Sequence, residues 1–227
     1  MQPRLLLFDI DGTLLRVQSG FTRSLIEDVL QTHQLDSRHL DEISFAGRTD
    51  RFIFTEIIHK AVGSVDERRF TLLKEAYIQS MNQKLRPEHV EVLPGAHEVL
   101  SFCKERKIVT GILSGNFRES AHTKLSRAGL EQYFPFGAYG SLHTNRDHLP
   151  ALALKAAETA CKRSFSPKNS WIIGDTPYDI TCAHSAGMRA VGLPTGPYSY
   201  EKLLAHKPDL LLPSLNHLIQ YLDGPIG

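Results

Sequence analysis

Cysteine is scarce: Cys103, Cys161 and Cys182 are the only three in 227 residues, widely spaced and without a CxxC pair. That argues against a disulfide framework or a thiolate zinc site and fits a reducing cytoplasm. Excess charge of either sign is missing too. Lys and Arg total 26 against 25 Asp and Glu, a net charge of +1, so no bulk field draws the chain to nucleic acid or an anionic membrane. Any anion must therefore be bound locally. No apolar run reaches the roughly 18 residues of a membrane-spanning helix, and the N-terminus does not read as a signal peptide. The eleven histidines show neither HxxxH nor HxH spacing, which argues against a histidine metal site. Internal repeats and low-complexity stretches are absent. What remains, 41% hydrophobic and 22% charged, reads as a cytoplasmic globular chain with room for one core domain and a modest insertion.

The first apolar run, Leu5 to Phe8, has the continuous character of a strand covered on both faces, and it stops at Asp9. Helical stripes follow: Phe21, Leu25, Ile26, Val29 and Leu30, then Ile53, Ile57 and Ile58, then Phe70, Leu73, Tyr77 and Met81. No strand is expected between residues 16 and 85, which reads as a helical insertion. After Pro94 and Gly95 strands alternate with helices: strands near Ile108–Leu113, Phe136–Tyr139, Ser170–Ile173, Arg189–Leu193 and Leu210–Leu212, with a last helix that Ser214 would cap. The expected fold is α/β, a Rossmann-like parallel sheet formed by 1–15 and 86–227, with a small all-helical domain over 16–85.

In such a sheet ligands bind beyond the carboxyl ends of the strands. Three polar clusters stand there: Asp9-Ile10-Asp11-Gly12-Thr13, Ser114-Gly115-Asn116, and Gly174-Asp175 with Asp179 one helical turn on. Each has a plainer reading as a helix-capping turn. Brought together, the carboxylates would repel by about 4 kcal/mol per pair at 4 Å and need a cation; all-oxygen ligands point to magnesium, Mg2+. Ser114, with Gly115, Asn116 and nearby backbone N–H groups, would make an anion cradle.

The chain resembles the haloacid dehalogenase superfamily, in its phosphatase branch with a helical cap inserted after the first strand. Asp9, Asp11 and Thr13 match the first family motif, Ser114 the second, and Asp175 with Asp179 the fourth. The third departs: where the family places a lysine, this chain reads His143-Thr144-Asn145-Arg146-Asp147-His148, leaving Arg146 or the helical Lys155 for the role. The resemblance implies that Asp9 is a nucleophile forming an aspartyl-phosphate, and that Asp11 protonates the leaving oxygen and then deprotonates water. It also implies Mg2+ held by Asp9, Asp175 and the carbonyl of Asp11, with Asp179 at the metal or orienting its waters or Asp175, Thr13 among the substrate-binding residues, and Ser114 and Arg146 on the phosphate oxygens. In the cap, Arg48 of the Phe45–Asp50 stretch would meet a leaving-group carboxylate, as in phosphoglycolate, unless that stretch only caps the next helix. A small phosphate ester is the expected partner, and the chain is expected to be a monomer or homodimer. A sugar-phosphate mutase and a non-catalytic binding protein are the other readings of the same residues.

Overall fold

The structure, a computed structural model, describes residues 5–223; residues 1–4 and 224–227, the outer ends of the expected core, lie outside the described residues. Strand β1 (Leu5–Phe8) is fully buried. Its side chains alternate between two apolar clusters, Leu6 and Phe8 on one face of the sheet, Leu5 and Leu7 on the other, which is why no polar residue interrupts the run. Burying each such side chain stabilises the fold by about 1.5–3 kcal/mol.

Strands β2 (Leu15–Val17) and β3 (Val90–Val92) pair antiparallel, Leu15 opposite Val92 and Val17 opposite Val90. The β2 half of this ribbon corrects the expectation that residues 16 to 85 hold no strand. The pattern was too short to read: three residues a side, with Leu15 alone fully buried. Between its strands lie α1 (Phe21–Thr32), α2 (Asp50–Val62) and α3 (Glu67–Lys84). Thr49 caps α2 by accepting the Phe52 N–H at 3.2 Å, and Asp66 caps α3 by accepting that of Arg69 at 2.8 Å. Gly63, at φ 76°, ends α2 in the left-handed conformation. The stripes Leu25-Ile26-Val29-Leu30, Ile53-Ile57-Ile58 and Phe70-Leu73-Tyr77-Met81 meet in an apolar cluster of their own.

The remaining chain alternates: α4 (Ala96–Glu105), β4 (Val109–Ser114), α5 (Arg118–Arg127), β5 (Gly137–Tyr139), α6 (Leu149–Cys161), β6 (Ser170–Gly174), α7 (Pro177–Ser185), β7 (Arg189–Gly192), α8 (Tyr200–Leu204), β8 (Leu210–Leu211) and α9 (Ile219–Asp223). The six-stranded sheet is parallel in the order β5-β4-β1-β6-β7-β8. The chain winds outward from β1 to β5 and returns to β6 on the other side, so β1 lies at the point where strand order reverses. The carboxyl ends of β1, β4 and β6 are therefore neighbours there. Helix α8 was not expected, since of its five residues only Leu203 is buried. Ser214 does not cap α9: its hydroxyl meets His217 Nδ1 at 3.1 Å, and a 3-10 turn, Leu215–Leu218, runs into the helix.

Candidate active site

Asp9 continues the sheet ladder for one residue, its N–H donating to Ile173 O at 2.9 Å, and its carboxylate is delivered to the rim 6% exposed. The chain then turns through Gly12 at φ 82°, a conformation that a side chain disfavours; a methyl there would also overlap the Asp175 carboxylate. Asp175 follows β6 and is 1% exposed, with the Thr13 hydroxyl donating to its Oδ1 at 3.3 Å. Asp179, in the first turn of α7, accepts from the Thr176 N–H at 3.0 Å and hydroxyl at 2.7 Å. One oxygen each of Asp9, Asp175 and Asp179 lie within 4.8 Å of one another, all three residues buried.

Arg146 reaches this cluster from the turn before α6. Its guanidinium donates to Asp9 Oδ1 at 3.0 Å and to Asp179 Oδ1 at 2.5 Å, and at longer range to Leu113 O and Gly47 O, both 3.4 Å. Lys155 is exposed and lines a separate groove with Arg118 and His122, so Arg146 is the cation at the acidic rim. Burial pushes the Asp9 carboxyl up to about 6 despite Arg146, and raises that of Asp175 well above its ordinary value. Burial opposes the charge on Arg146, but Asp179 and Asp9 together raise its pKa.

The Ser114 hydroxyl, fully buried at the end of β4, accepts from Asn116 Nδ2 at 2.9 Å and from its N–H at 3.4 Å. Helix α5 starts only at Arg118, so Ser114 is not its N-cap. Gly115 and Gly140 lie where any side chain would collide with the Arg48–Thr49 backbone or with each other, which lets the start of α2 sit directly on this turn. Asp50 N donates to Gly115 O at 2.6 Å, Arg51 N to Gly140 O at 3.2 Å, and Phe117 N to Asp50 Oδ2 at 2.6 Å. Phe117 packs its ring between Phe54, Phe70 and Tyr77 at centroid distances of 5.3, 6.1 and 6.2 Å. Arg48 lies between the rings of Phe52 and Tyr178, 4.7 and 4.6 Å from their centroids.

Asp11 stands apart from the three-carboxylate cluster. Its two oxygens face Lys124 Nζ at 2.8 and 2.7 Å, and Oδ2 also accepts from Asn116 Nδ2 at 2.8 Å. Lys124 was not singled out from the sequence, nor was Asp50. A legible signal existed for Lys124: it interrupts the apolar stripe Phe117-Ala121-Leu125 and is buried with it. Asp50, pushed up to about 6 by burial against the opposing pull of Lys124, had none. Asp9, Asp11, Arg48, Asp50, Ser114, Asn116, Lys124, Arg146 and Asp175 line one cavity of about 570 Å³ between the three-helix segment and the sheet rim, while Thr13 and Asp179 lie behind it. Its floor carries both acidic and basic groups, and its roof carries Ile26, Phe45, Ile53 and Phe54.

Residues 6–193 match the family described as haloacid dehalogenase-like hydrolase. Pyrophosphatase PpaX of Bacillus cereus is 22% identical over 224 residues, covering 99% of this chain and 98% of its own. Phosphoglycolate phosphatase 1 of Pseudomonas aeruginosa is 23% identical over 229 residues, 97% of this chain and 80% of its own. The crystal structure of beta-phosphoglucomutase from Clostridium difficile superposes with a TM-score of 0.72 at 22% identity, over 98% of this chain and 96% of that one, a likeness of fold. With its parallel sheet, acidic rim and match over most of its length, the chain belongs to the haloacid dehalogenase-like hydrolases.

Proposed function

We propose that this hydrolase is a magnesium-dependent phosphatase that cleaves small organic phosphate monoesters through an aspartyl-phosphate on Asp9. The observation that carries the reading is the meeting of Asp9, Asp175 and Asp179 within 4.8 Å at the end of β1, with Arg146 beside the Asp9 carboxylate. Three hard oxygen donors at one buried point fit Mg2+ better than a soft transition metal. Asp9, Asp175, Asp179 and the Asp11 carbonyl would hold it. When bound, the ion offsets the repulsion between the carboxylates and an incoming phosphate.

In this reading Asp9 attacks phosphorus and expels the leaving oxygen, which Asp11 protonates; Asp11 then takes a proton from the hydrolytic water. Ser114, the backbone at Gly115 and Asn116, and Arg146 bind the phosphoryl oxygens, where charge develops. Thr13 keeps Asp175 in place. Residues 16–85 form the cap, which excludes water during the first transfer. Arg48, stacked between Phe52 of the cap and Tyr178 of the core, is the candidate anchor for a leaving-group carboxylate such as that of phosphoglycolate. The relatives named for pyrophosphate and phosphoglycolate support a small substrate with two anionic groups.

A phosphate-release screen over phosphoglycolate, pyrophosphate and sugar phosphates, with and without magnesium and beside Asp9→Asn, tests this. We expect release that needs magnesium and disappears in the variant; release that persists in Asp9→Asn would refute the nucleophile. The mutase reading, kept alive by the fold, predicts an isomerised sugar phosphate with no net release.

A further inference from the structure

Lys124 is a buried cation in the cavity wall that the phosphatase reading leaves without a task. Its ammonium has three N–H donors and faces three acceptors: Asp11 Oδ1 at 2.8 Å, Asp11 Oδ2 at 2.7 Å and Asn116 Oδ1 at 2.6 Å. Asn116 closes the triangle by donating from Nδ2 to Asp11 Oδ2 at 2.8 Å and to Ser114 Oγ at 2.9 Å. The lysine is 3% exposed, so it sits there at a desolvation cost that a leucine or methionine in the same stripe would avoid. The Asp11 side chain, by contrast, is 40% exposed. Its Oδ2 takes two donors while Oδ1 takes one, and a lone pair of Oδ1 is left for another proton.

We propose that Lys124, working with Asn116, is a positioning residue that holds Asp11 as an oriented carboxylate for the second half of the reaction, the hydrolysis of the phosphorylated Asp9. In that step water forms a new bond to phosphorus and the bond from phosphorus to the Asp9 oxygen breaks. The electron pair returns to Asp9, and the water's proton passes to the free edge of Asp11. Attack on an ester with a good leaving group makes no demand on Asp11, so the inference separates the two halves. It rests on the aspartyl-phosphate reading, and the test keeps the two apart.

p-Nitrophenyl phosphate is the probe, since its leaving group departs without a proton. Wild type, Asp9→Asn and Lys124→Met are compared by stopped-flow at saturating magnesium. Lys124→Met is expected to give a burst of nitrophenolate equal to the enzyme concentration. A steady state slower by about a hundredfold should follow, the scale of a misplaced catalytic group. KM should fall in parallel, leaving kcat/KM unchanged. A loss of kcat/KM without a burst, or an unchanged kcat, would overturn the role of Lys124. Undiminished turnover in Asp9→Asn would instead overturn the phosphatase reading itself. If Lys124→Met does not fold, Lys124→Gln, which keeps an NH2 donor group and removes the charge, is read by the same burst and the same ratio.

Discussion

Gly12 shows how little freedom the site leaves a single residue. It turns the chain at φ 82° and makes room for the Asp175 carboxylate, so Gly12→Ala strains the backbone by about 1–3 kcal/mol and displaces a proposed ligand. Magnesium binding followed by calorimetry should weaken about 10–100-fold. Asp50 makes a different kind of prediction. Burial pushes its carboxyl up to about 6, whereas in the unfolded chain it ionises near its ordinary value of about 3.9. Between those values the native state keeps a proton that the unfolded state has lost, so stability falls as pH rises through the window. Asp50→Asn still accepts the Phe117 N–H and does not ionise. Its stability relative to wild type should improve by about 2 kcal/mol from pH 4 to pH 7 in urea titrations; a constant difference would show that folding leaves the Asp50 pKa unchanged.

At the scale of elements, the contact between α2 and the turn after β4 matters most. Phe117 leaves the rim of the sheet to fill a hole among Phe54, Phe70 and Tyr77, and its N–H is bound by Asp50. Phe117→Ala should destabilise the protein by about 3–5 kcal/mol in chemical denaturation and raise KM, because the cavity loses its roof contact. Thr49→Ala, which removes an N-cap at Phe52 and a hydrogen bond to Thr144 O, should cost about 1 kcal/mol by the same measurement. The helices of this segment were legible because each carries a long apolar stripe. Its docking was not, because it depends on backbone close to backbone at Gly115 and Gly140, where no side-chain pattern records the contact. The β2–β3 ribbon and α8 escaped for a related reason, three to five residues being too few to show a period. Lys124 was not singled out although it interrupts an apolar stripe, because its partner Asp11 lies 113 residues away and no local pattern pairs the two.

For the whole molecule, the rim concentrates four carboxylates around two cations, and among the described residues no helix is long and apolar enough to cross a membrane. The excess negative charge sets a global expectation: magnesium at a hundred times its Kd should stabilise the fold by about 2.7 kcal/mol, seen as a higher Tm, and Asp175→Asn should abolish that gain. Equal gains in both proteins would place the ion elsewhere. The gathering of these carboxylates from residues 9, 175 and 179 was foreseeable from strand order, because sequence clusters that follow parallel strands share one edge.

The β2–β3 ribbon has a consequence for how such a chain can diversify. Because Leu15–Val17 and Val90–Val92 lie side by side, the chain enters and leaves the intervening stretch at a single seam, and a foreign stretch spliced there would leave the register of the main sheet untouched. The reacting carboxylates and the roof above them are thus separable inheritances, one free to be exchanged as a cassette while the other stays fixed.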